Sequence, residues 1–594
     1  MTLATSALQT PALMPTEHTI ALYDGTPLFY RIWLPPQPTR ALFLFHRGHE
    51  HSGRFLDFVD HLADADTAVF AWDARGHGQS PGERGYAPSF AHTIRDIDFF
   101  VRTLTAAHNI GLEATTVLAH SVASVAAAAW VHDYAPPIRA LVLVAPAFRV
   151  KLYVPFAIEG LRLLQSVRPG KKSFVKSYVR SRMLTHDPVH AASYDADPLI
   201  AKSIAVNILL ELHDTSTRIL QDAAAIRAPT LILSAGSDWV VKPAAQRAFF
   251  NRLGSPFKRF QNFPGMYHDL MHEGERDRVF ATIREFMDDP ALDSPVLPLL
   301  DADRRGFTHD EYVRLSSPLP VLSPRRYSFA AQRLFLHSPL ARLSQGIRIG
   351  QDTGFNSGGT LDYIYENRPR GPLVLGKIID RFYLGAIGWR GIRVRKLHIQ
   401  ELLKQAIGTL QSQGRPVHIV DIASGPGRYL LETLAALQSP GVSALLRDYD
   451  VANLNQARIA AQSFGLSSVS FAQGDAFDRS SLALLTPAPT IAIASGIFEL
   501  IPDNQQVLTS LRSLAAAMQA NGGVLLYTGQ PWHPQLEMIA RVLTGMDHKP
   551  WVMRRRTQLE LDDLVREAGF RKTDTRIDPF GIFTVSLATI GGGP

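Results

Sequence analysis

The sequence predicts an α/β fold in two domains, and three observations carry that expectation. Short apolar runs without polar alternation recur between longer amphipathic segments in both halves, as expected of parallel strands covered on both faces by helices. Two of these runs stop abruptly at turns of small residues that lead straight into helical patterns, at 119–124 and at 423–427. At 594 residues the chain also exceeds what one core organises, since domains usually run to roughly 100–200 residues.

Composition narrows the classes. Apolar content of 46% and charged content of 19% fit a soluble globular protein. The absence of cysteine excludes disulfides, Cys-ligated zinc, thiol catalysis and lipidation through sulfur. Residues 1–18 have neither a basic start nor an apolar core segment, so no signal peptide is expected. No window approaches the roughly 18 apolar residues of a membrane span. The formal charge of +7 is modest for this size, so its clustering matters more than its total.

Residues 19–34 read as a hairpin turning at Asp24-Gly25-Thr26-Pro27. Buried strands follow at 41–45 and 67–72, then an amphipathic helix at about 89–107, a strand at 115–120, a helix through Trp130, and a strand at 140–144. The strand at 115–120 ends in His120-Ser121, with Ala119 and Ala123 two positions either side of the serine. That is the layout of a nucleophile elbow, whose strained turn demands small neighbours. Alanines here replace the usual glycines, and a buried strand followed by an ordinary helix with an incidental serine is the alternative.

The run from His46 through Gly48, Glu50 and Ser52 to Arg54, the run Asp73-Ala74-Arg75-Gly76-His77-Gly78-Gln79-Ser80, and the elbow serine together resemble the monoacylglycerol lipase and lysophospholipase branch of the α/β-hydrolases. Such hydrolases carry their triad in the order Ser, Asp, His. Asp238 follows the strand at 229–233, and His268 follows at the expected spacing. Ser121 would attack, His268 would take its proton, and Asp238 would hold the imidazole tautomer. The resemblance places the oxyanion donors at the N–H groups of Gly48 and Val122. Asp238 capping a turn and His268 lying in a surface loop remain the plain alternatives. His49, His51 and His77 read as turn-stabilising residues, and Arg47 is unusual for the pattern.

The alternation breaks over about 149–222, where these hydrolases carry a lid. Arg149, Lys151, Arg162, Arg168, Lys171, Lys172, Lys176, Arg180 and Arg182 lie there among apolar residues, with Glu159 the one acid from 149 to 182. A basic, apolar lid suits an anionic lipid surface, each basic residue contributing about 1 kcal/mol near one. A solvated cap is the alternative, and no nucleic-acid partner is expected over a catalytic pocket.

The hydrolase domain is expected over 1–288, linking material over 289–349, where Pro, Asp and Ser are dense, and a second domain over 350–594. Its first part, 350–397, is rich in aromatic and glycine residues and could form a cover. A strand at 417–423 then leads into Ser424-Gly425-Pro426-Gly427 and a helix. The next strand ends at Asp448, at the separation of an acid that reaches ribose hydroxyls. Further strands end at Asp475-Ala476 and at 496–500, and a helix at 557–568 and strands near Thr575 and Thr584 close the chain.

These spacings resemble class I S-adenosylmethionine-dependent methyltransferases, a Rossmann-like fold. The resemblance implies S-adenosylmethionine as cofactor. Asp421, Ala423, Gly425 and Gly427 would frame its methionine and ribose end, Asp448 would hold the ribose, and Asp475 and Ala476 would border the adenine. A dinucleotide-binding domain is the alternative, disfavoured because the motif is of the Asp-x-x-x-Gly-x-Gly type. Tyr527, Trp532 and His533 either line an acceptor pocket or pack. The joined pattern resembles a bacterial family of hydrolase–methyltransferase fusions. This implies a cytoplasmic protein, with peripheral contact at the inner membrane as one expectation, that takes a lipid or other ester in phospholipid metabolism, with no metal. An inert hydrolase scaffold serving an active methyltransferase, and a basic membrane-surface adaptor, are the competing readings. The sequence assigns no oligomeric state.

Overall fold

The computed structural model describes residues 13–62, 64–167, 170–519 and 522–591. Arg168 of the basic lid run, and the first twelve residues of the stretch read for a signal peptide, lie outside them. The chain divides into two compact units after Leu297.

The first unit is built on ten strands: β1 (Thr16–Ala21), β2 (Pro27–Trp33), β3 (Arg40–Phe45), β4 (Thr67–Trp72), β5 (Thr115–His120), β6 (Ala140–Val144), β7 (Phe174–Lys176), β8 (Ser203–Ala205), β9 (Thr230–Ala235) and β10 (Lys258–Phe263). Eight of them form one sheet in the order β1-β2-β4-β3-β5-β6-β9-β10. From β4 to β10 all pairs are parallel, and β1 and β2 add an antiparallel edge. β4, β5, β6 and β9 are buried at every position, because helices cover both faces. At the far edge β10 leaves most of its residues half or fully exposed. The helix Phe90–Ala107 starts where the Ser89 side chain accepts from the His92 N–H. The helix Val122–Tyr134 is buried from Ala123 to its end, and its alanine run lets it lie close beneath the sheet's middle. Between β6 and β9 the chain inserts the helices Ala157–Val167, Pro188–Ala196 and Val206–Gln221 and the small β7–β8 hairpin.

The second unit begins earlier than the composition suggested. The stretch 298–349 is not a linker but carries the helices Phe307–Ser316 and Pro324–Leu336 and the start of Gln345–Thr353. Leu315 is buried against Leu536, Ile539 and Met553, and Pro324 opens its helix at the first turn, where a proline costs nothing. Ser323, Pro324 and Ser344 of that stretch stand at helix starts. Four more helices follow, Gly358–Glu366, Leu373–Leu384, Ile387–Ser412 and Arg428–Leu437, the last after the first strand of the sheet.

The strands of that sheet are β11 (Val417–Asp421), β12 (Val442–Asp448), β13 (Val469–Gln473), β14 (Ile491–Ala494), β15 (Val524–Gly529), β16 (Phe570–Ile577) and β17 (Thr584–Ile590). Their order is β13-β12-β11-β14-β15-β17-β16, parallel except for the β16–β17 hairpin, which joins β15 antiparallel. Strand order reverses between β11 and β14, the topological switch point where open α/β sheets bind ligands at their carboxyl ends.

Candidate functional site

Ser121 sits between β5 and the helix Val122–Tyr134 with φ 56° and ψ −110°, a conformation an L-residue holds only under constraint. Three bonds hold it: the Ser121 N–H donates to Val144 O at 2.8 Å, and its carbonyl accepts from Ala147 N at 3.0 Å and Ser124 N at 3.2 Å. The Ser124 hydroxyl donates to Ala119 O at 2.6 Å and closes the turn from inside. Ala119 and Ala123 are both buried in that turn.

The structure brings the three expected residues together. His268 Nε2 lies 2.8 Å from Ser121 Oγ, and His268 Nδ1 lies 2.8 Å from Asp238 Oδ2. The other Asp238 oxygen accepts from the N–H groups of Val240 at 2.7 Å and Val241 at 2.8 Å. Burial pushes the Asp238 carboxyl up, but the His268 ring and the two N–H donors outweigh it and hold it below the usual carboxylate range. The arrangement fixes His268 with its Nδ1 proton on Asp238 and its Nε2 free to accept from the serine.

Val122 opens its helix, so its N–H has no intrahelical acceptor. A Cβ built on Gly48 would lie 3.3 Å from Val122 Cγ2, which brings the two expected oxyanion donors side by side. Ser121, His268, Gly48 and Val122 reach one cavity of about 640 Å³, and Asp238 stands behind His268. Much of its wall is apolar, including Leu152, Val154, Phe156 and Leu161 of the insertion and Ile208 and Leu212 of the helix Val206–Gln221, while His46, Arg47, Arg75 and Lys176 add polar groups. The insertion is tied to the acid's loop: Lys151 donates to Asp238 O, and Tyr153 OH donates to Trp239 O at 2.6 Å.

Arg47 has a structural account. Its buried guanidinium faces Glu50 at 2.9 Å and Asp269 at 3.5 Å and stacks over Tyr194. Glu50, Asp269 and His272 form a cluster of metal-ligating types, and Arg47 and Arg54 supply the balancing charge there. His77 Nδ1 donates to Arg75 O at 2.9 Å, and His51 bridges Gly53 N and Asp197, as turn-stabilising residues do.

In the second unit a cavity of about 310 Å³ opens at the carboxyl ends of β11, β12 and β13. Ala423, Gly425, Gly427, Asp448, Asp475 and Ala476 line it. Gly425 and Gly427 have φ of +54° and +67°, and a Cβ on Gly427 would meet Leu446 Cδ2 at 2.3 Å. Asp448 accepts from Gly425 N at 2.7 Å and from Asn453 Nδ2 at 3.0 Å, pinning the glycine turn to the end of β12. Asp475 accepts from Phe477 N at 2.9 Å, and its carboxylate is exposed. Asp421 does not reach the cavity. It is buried behind the turn, where it accepts from Tyr429 OH at 2.6 Å, and burial pushes its carboxyl up to about 7. Positive-φ glycines, a carboxylate at one strand end and another at the next make a cradle into which a nucleoside with a flexible amino-acid arm fits.

Sequence reasoning missed one wall. Asn356, Asp362, Tyr365 and Arg395 of the preceding helices also line this cavity, and Arg428 binds Asp362 at 2.5 and 2.8 Å. The only signal was the density of aromatic and glycine residues over 350–397. Of the three acceptor-pocket candidates, Tyr527 is buried with its hydroxyl on Asp562 at 2.7 Å. Trp532 packs beside the Phe355–Trp389 cluster. His533 lines a second cavity of about 540 Å³.

Residues 283–590 match a family model described as a putative methyltransferase. The chain belongs to that family. Residues 36–275 match a model described as serine aminopeptidase, S33. A relative from Escherichia coli (strain K12), the uncharacterized protein YnbC, is 50% identical over 97% of this chain and 98% of its own. The monoacylglycerol lipase of Mycolicibacterium smegmatis is 27% identical over 46% of this chain and 96% of its own. Phospholipase YtpA of Bacillus subtilis is 25% identical over 43% of this chain and 98% of its own. The crystal structure of Paleococcus ferrophilus monoacylglycerol lipase matches 44% of this chain and 98% of its own at 25% identity, with a TM-score of 0.40. The first unit is thus similar to monoacylglycerol lipases, and the second is a putative methyltransferase domain.

Proposed function

We propose that the first unit is a serine hydrolase that cleaves a carboxylic ester of a monoacylglycerol or lysophospholipid, and that the second transfers a methyl group from S-adenosylmethionine. The observation that carries the hydrolase reading is the Ser121–His268–Asp238 relay at 2.8 Å per link, opening into a cavity with an apolar wall. His268 takes the proton of Ser121 as its oxygen attacks the ester carbonyl, and Asp238 stabilises the imidazolium. The N–H groups of Gly48 and Val122 face the developing oxyanion. His268 returns its proton to the leaving alcohol, and a water molecule then releases the acid by the same steps.

For the second unit, the Gly425–Gly427 turn would hold the methionine arm, Asp448 the ribose and the Asp475–Ala476 corner the adenine. S-adenosylmethionine supplies an electrophilic methyl group. This chain's residues bind, orient and exclude water, with the Asp362–Arg428 pair closing the cavity on its helical side.

Leu163 and Val167, both about two-thirds exposed, and Phe156, 82% exposed, stand among Arg162, Lys171 and Lys172. That surface favours peripheral contact with an anionic membrane. No helix among the described residues is long and apolar enough to cross a membrane.

The test is fatty-acid release from monoolein and lysophosphatidylethanolamine by wild type and Ser121→Ala, beside calorimetric titration with S-adenosylmethionine. Release by wild type that falls about 10⁴-fold or more in the variant, and binding heat in both, is the expected result. Equal release by both proteins would end the hydrolase claim, and no binding heat in either would end the methyltransferase claim.

A further inference from the structure

Beside the proposed cofactor cradle lies the second cavity of this unit, of about 540 Å³, and Asn356, Leu361, Arg395, Gly496 and Leu500 line both. Its far wall is apolar, with Phe335, Met538, Val542 and Leu543 among its side chains. Its near end is not. Arg395 is 2% exposed, Gln530 5% and Glu499 9%, and Arg395 Nε, Gln530 Nε2 and Glu499 Oε2 are buried without a hydrogen-bond partner. Trp551 Nε1, also in the wall, is buried and unpartnered too. A buried polar atom left unpaired is costly, so four in one cavity point to a ligand that pairs them.

The donors outnumber the acceptors. Arg395 meets Glu499 through one long contact at 3.4 Å and hydrogen-bonds the Tyr365 side chain, while its Nε has no partner. His533 Nδ1 accepts from Gln535 N at 3.0 Å, and burial pushes this ring down to about 3, so it is neutral and carries its hydrogen on Nε2. It is therefore a donor there, not a base. Glu499 is pushed up by burial against the pull of Arg395. A cation and three neutral N–H groups outnumber this one carboxylate and fit an anionic oxygen head, and the far wall fits a long apolar tail.

We infer that this cavity binds the methyl acceptor, and that the acceptor is a long-chain carboxylic acid held by Arg395 and Gln530 and methylated on its carboxylate oxygen. This rests on the methyltransferase reading above. The carboxylate lone pair forms the new oxygen–carbon bond as the carbon–sulfur bond of the bound donor breaks, its electron pair remaining on sulfur. The carboxylate and sulfonium charges cancel, no proton is released, and no general base is needed. The reaction that must supply such an acid is hydrolysis of an acyl ester, the chemistry proposed for the first unit.

The experiment is photolabelling of the full chain with a diazirine-bearing palmitic acid, mapped by peptide mass spectrometry, in wild type, Arg395→Met and Met538→Trp. Calorimetry with S-adenosylmethionine and thermal melts accompany each protein. Wild type is expected to carry label in 331–336 and 538–551, competed by palmitate. Arg395→Met should lower competition by palmitate at least tenfold and by methyl palmitate less than threefold. Met538→Trp, which keeps Arg395 and fills the tail site, should lose label with its cofactor heat retained. Label confined to residues before 298, or equal weakening of acid and methyl ester by Arg395→Met, overturns the inference. Stronger competition by hexadecanol than by palmitate also overturns it, in favour of a hydroxyl acceptor. Cofactor heat in wild type with no label at 331–336 or 538–551 defeats this inference alone. Label there without cofactor heat defeats the methyltransferase reading instead.

Discussion

The Asp238 carboxylate does two jobs, one with each oxygen. It fixes the His268 tautomer through one and ties its own loop to two backbone N–H groups through the other. Asp238→Asn keeps the shape but reverses the hydrogen on the side facing His268, so ester turnover should fall about 10⁴-fold with KM little changed, as steady-state kinetics would show. In the second unit Asp448→Ala removes an acceptor that also pins Gly425 and Asn453. Affinity for S-adenosylmethionine should fall tenfold or more by calorimetry, since a hydrogen bond to a charged group is worth about 1.5–3 kcal/mol. An unchanged affinity would move the ribose away from Asp448. At this scale the sequence was legible in position, since Ser121, Asp238 and His268 stand within hydrogen-bond reach of one another and Asp448 stands at the end of β12 beside the glycine turn. It was illegible where a buried network assigns the role. Asp421 stands in the motif but faces Tyr429, and Arg395, far upstream, stands in both cavities.

Strand ends are the elements that carry this chemistry, and the turns after them are the most constrained parts of the chain. Gly427→Ala places a methyl 2.3 Å from Leu446 at a φ of +67°, which should destabilise the second unit by about 1–3 kcal/mol, read as a lower denaturation midpoint. The elbow behaves differently, because Ala119 and Ala123 are accommodated while Ser121 alone holds the strained conformation. Strands were legible because burial on both faces leaves uninterrupted apolar runs, as at 140–144 and 491–494. The helices of 298–349 were not, because their caps are prolines and serines and because Pro324–Leu336 buries no residue fully. The helices Gly358–Glu366 and Ile387–Ser412 were illegible likewise: the residues they lend to the cavity at the carboxyl ends of β11, β12 and β13 are spaced by helical turns, not by a contiguous motif.

Over the whole molecule the ionisation of buried histidines sets the response to acid. His49, His120 and His533 are held down to about 3 by burial, and His46 well below its ordinary value. His132 and His272 are instead raised, since their neighbouring aspartates outweigh burial. A lowered ring stays neutral in the fold while the unfolded chain takes up a proton below about pH 6.5, so each withdraws stability as pH falls from there toward 3, by about 1.4 kcal/mol per pH unit. The two raised rings act oppositely, adding stability that is lost as pH rises through their folded values. The carboxyls of Asp421 and Asp96, pushed up by burial to about 7 and about 6, act in the same sense as the raised rings. His120→Asn, which removes one lowered ring, should therefore lessen the loss of the urea midpoint between pH 7 and pH 5 relative to wild type, and an unchanged difference would mean that this ring is hydrated in solution.

The central claim joins two chemistries in one chain, and one measurement addresses both. Purified wild type and Ser121→Ala are incubated with a bacterial lipid extract and methyl-labelled S-adenosylmethionine, and the lipids are read by mass spectrometry. The account predicts free fatty acid and labelled fatty-acid methyl ester with wild type, and neither with Ser121→Ala until palmitate is added, when the label returns. Wild type that releases no acid and labels nothing, even with palmitate supplied, would contradict it.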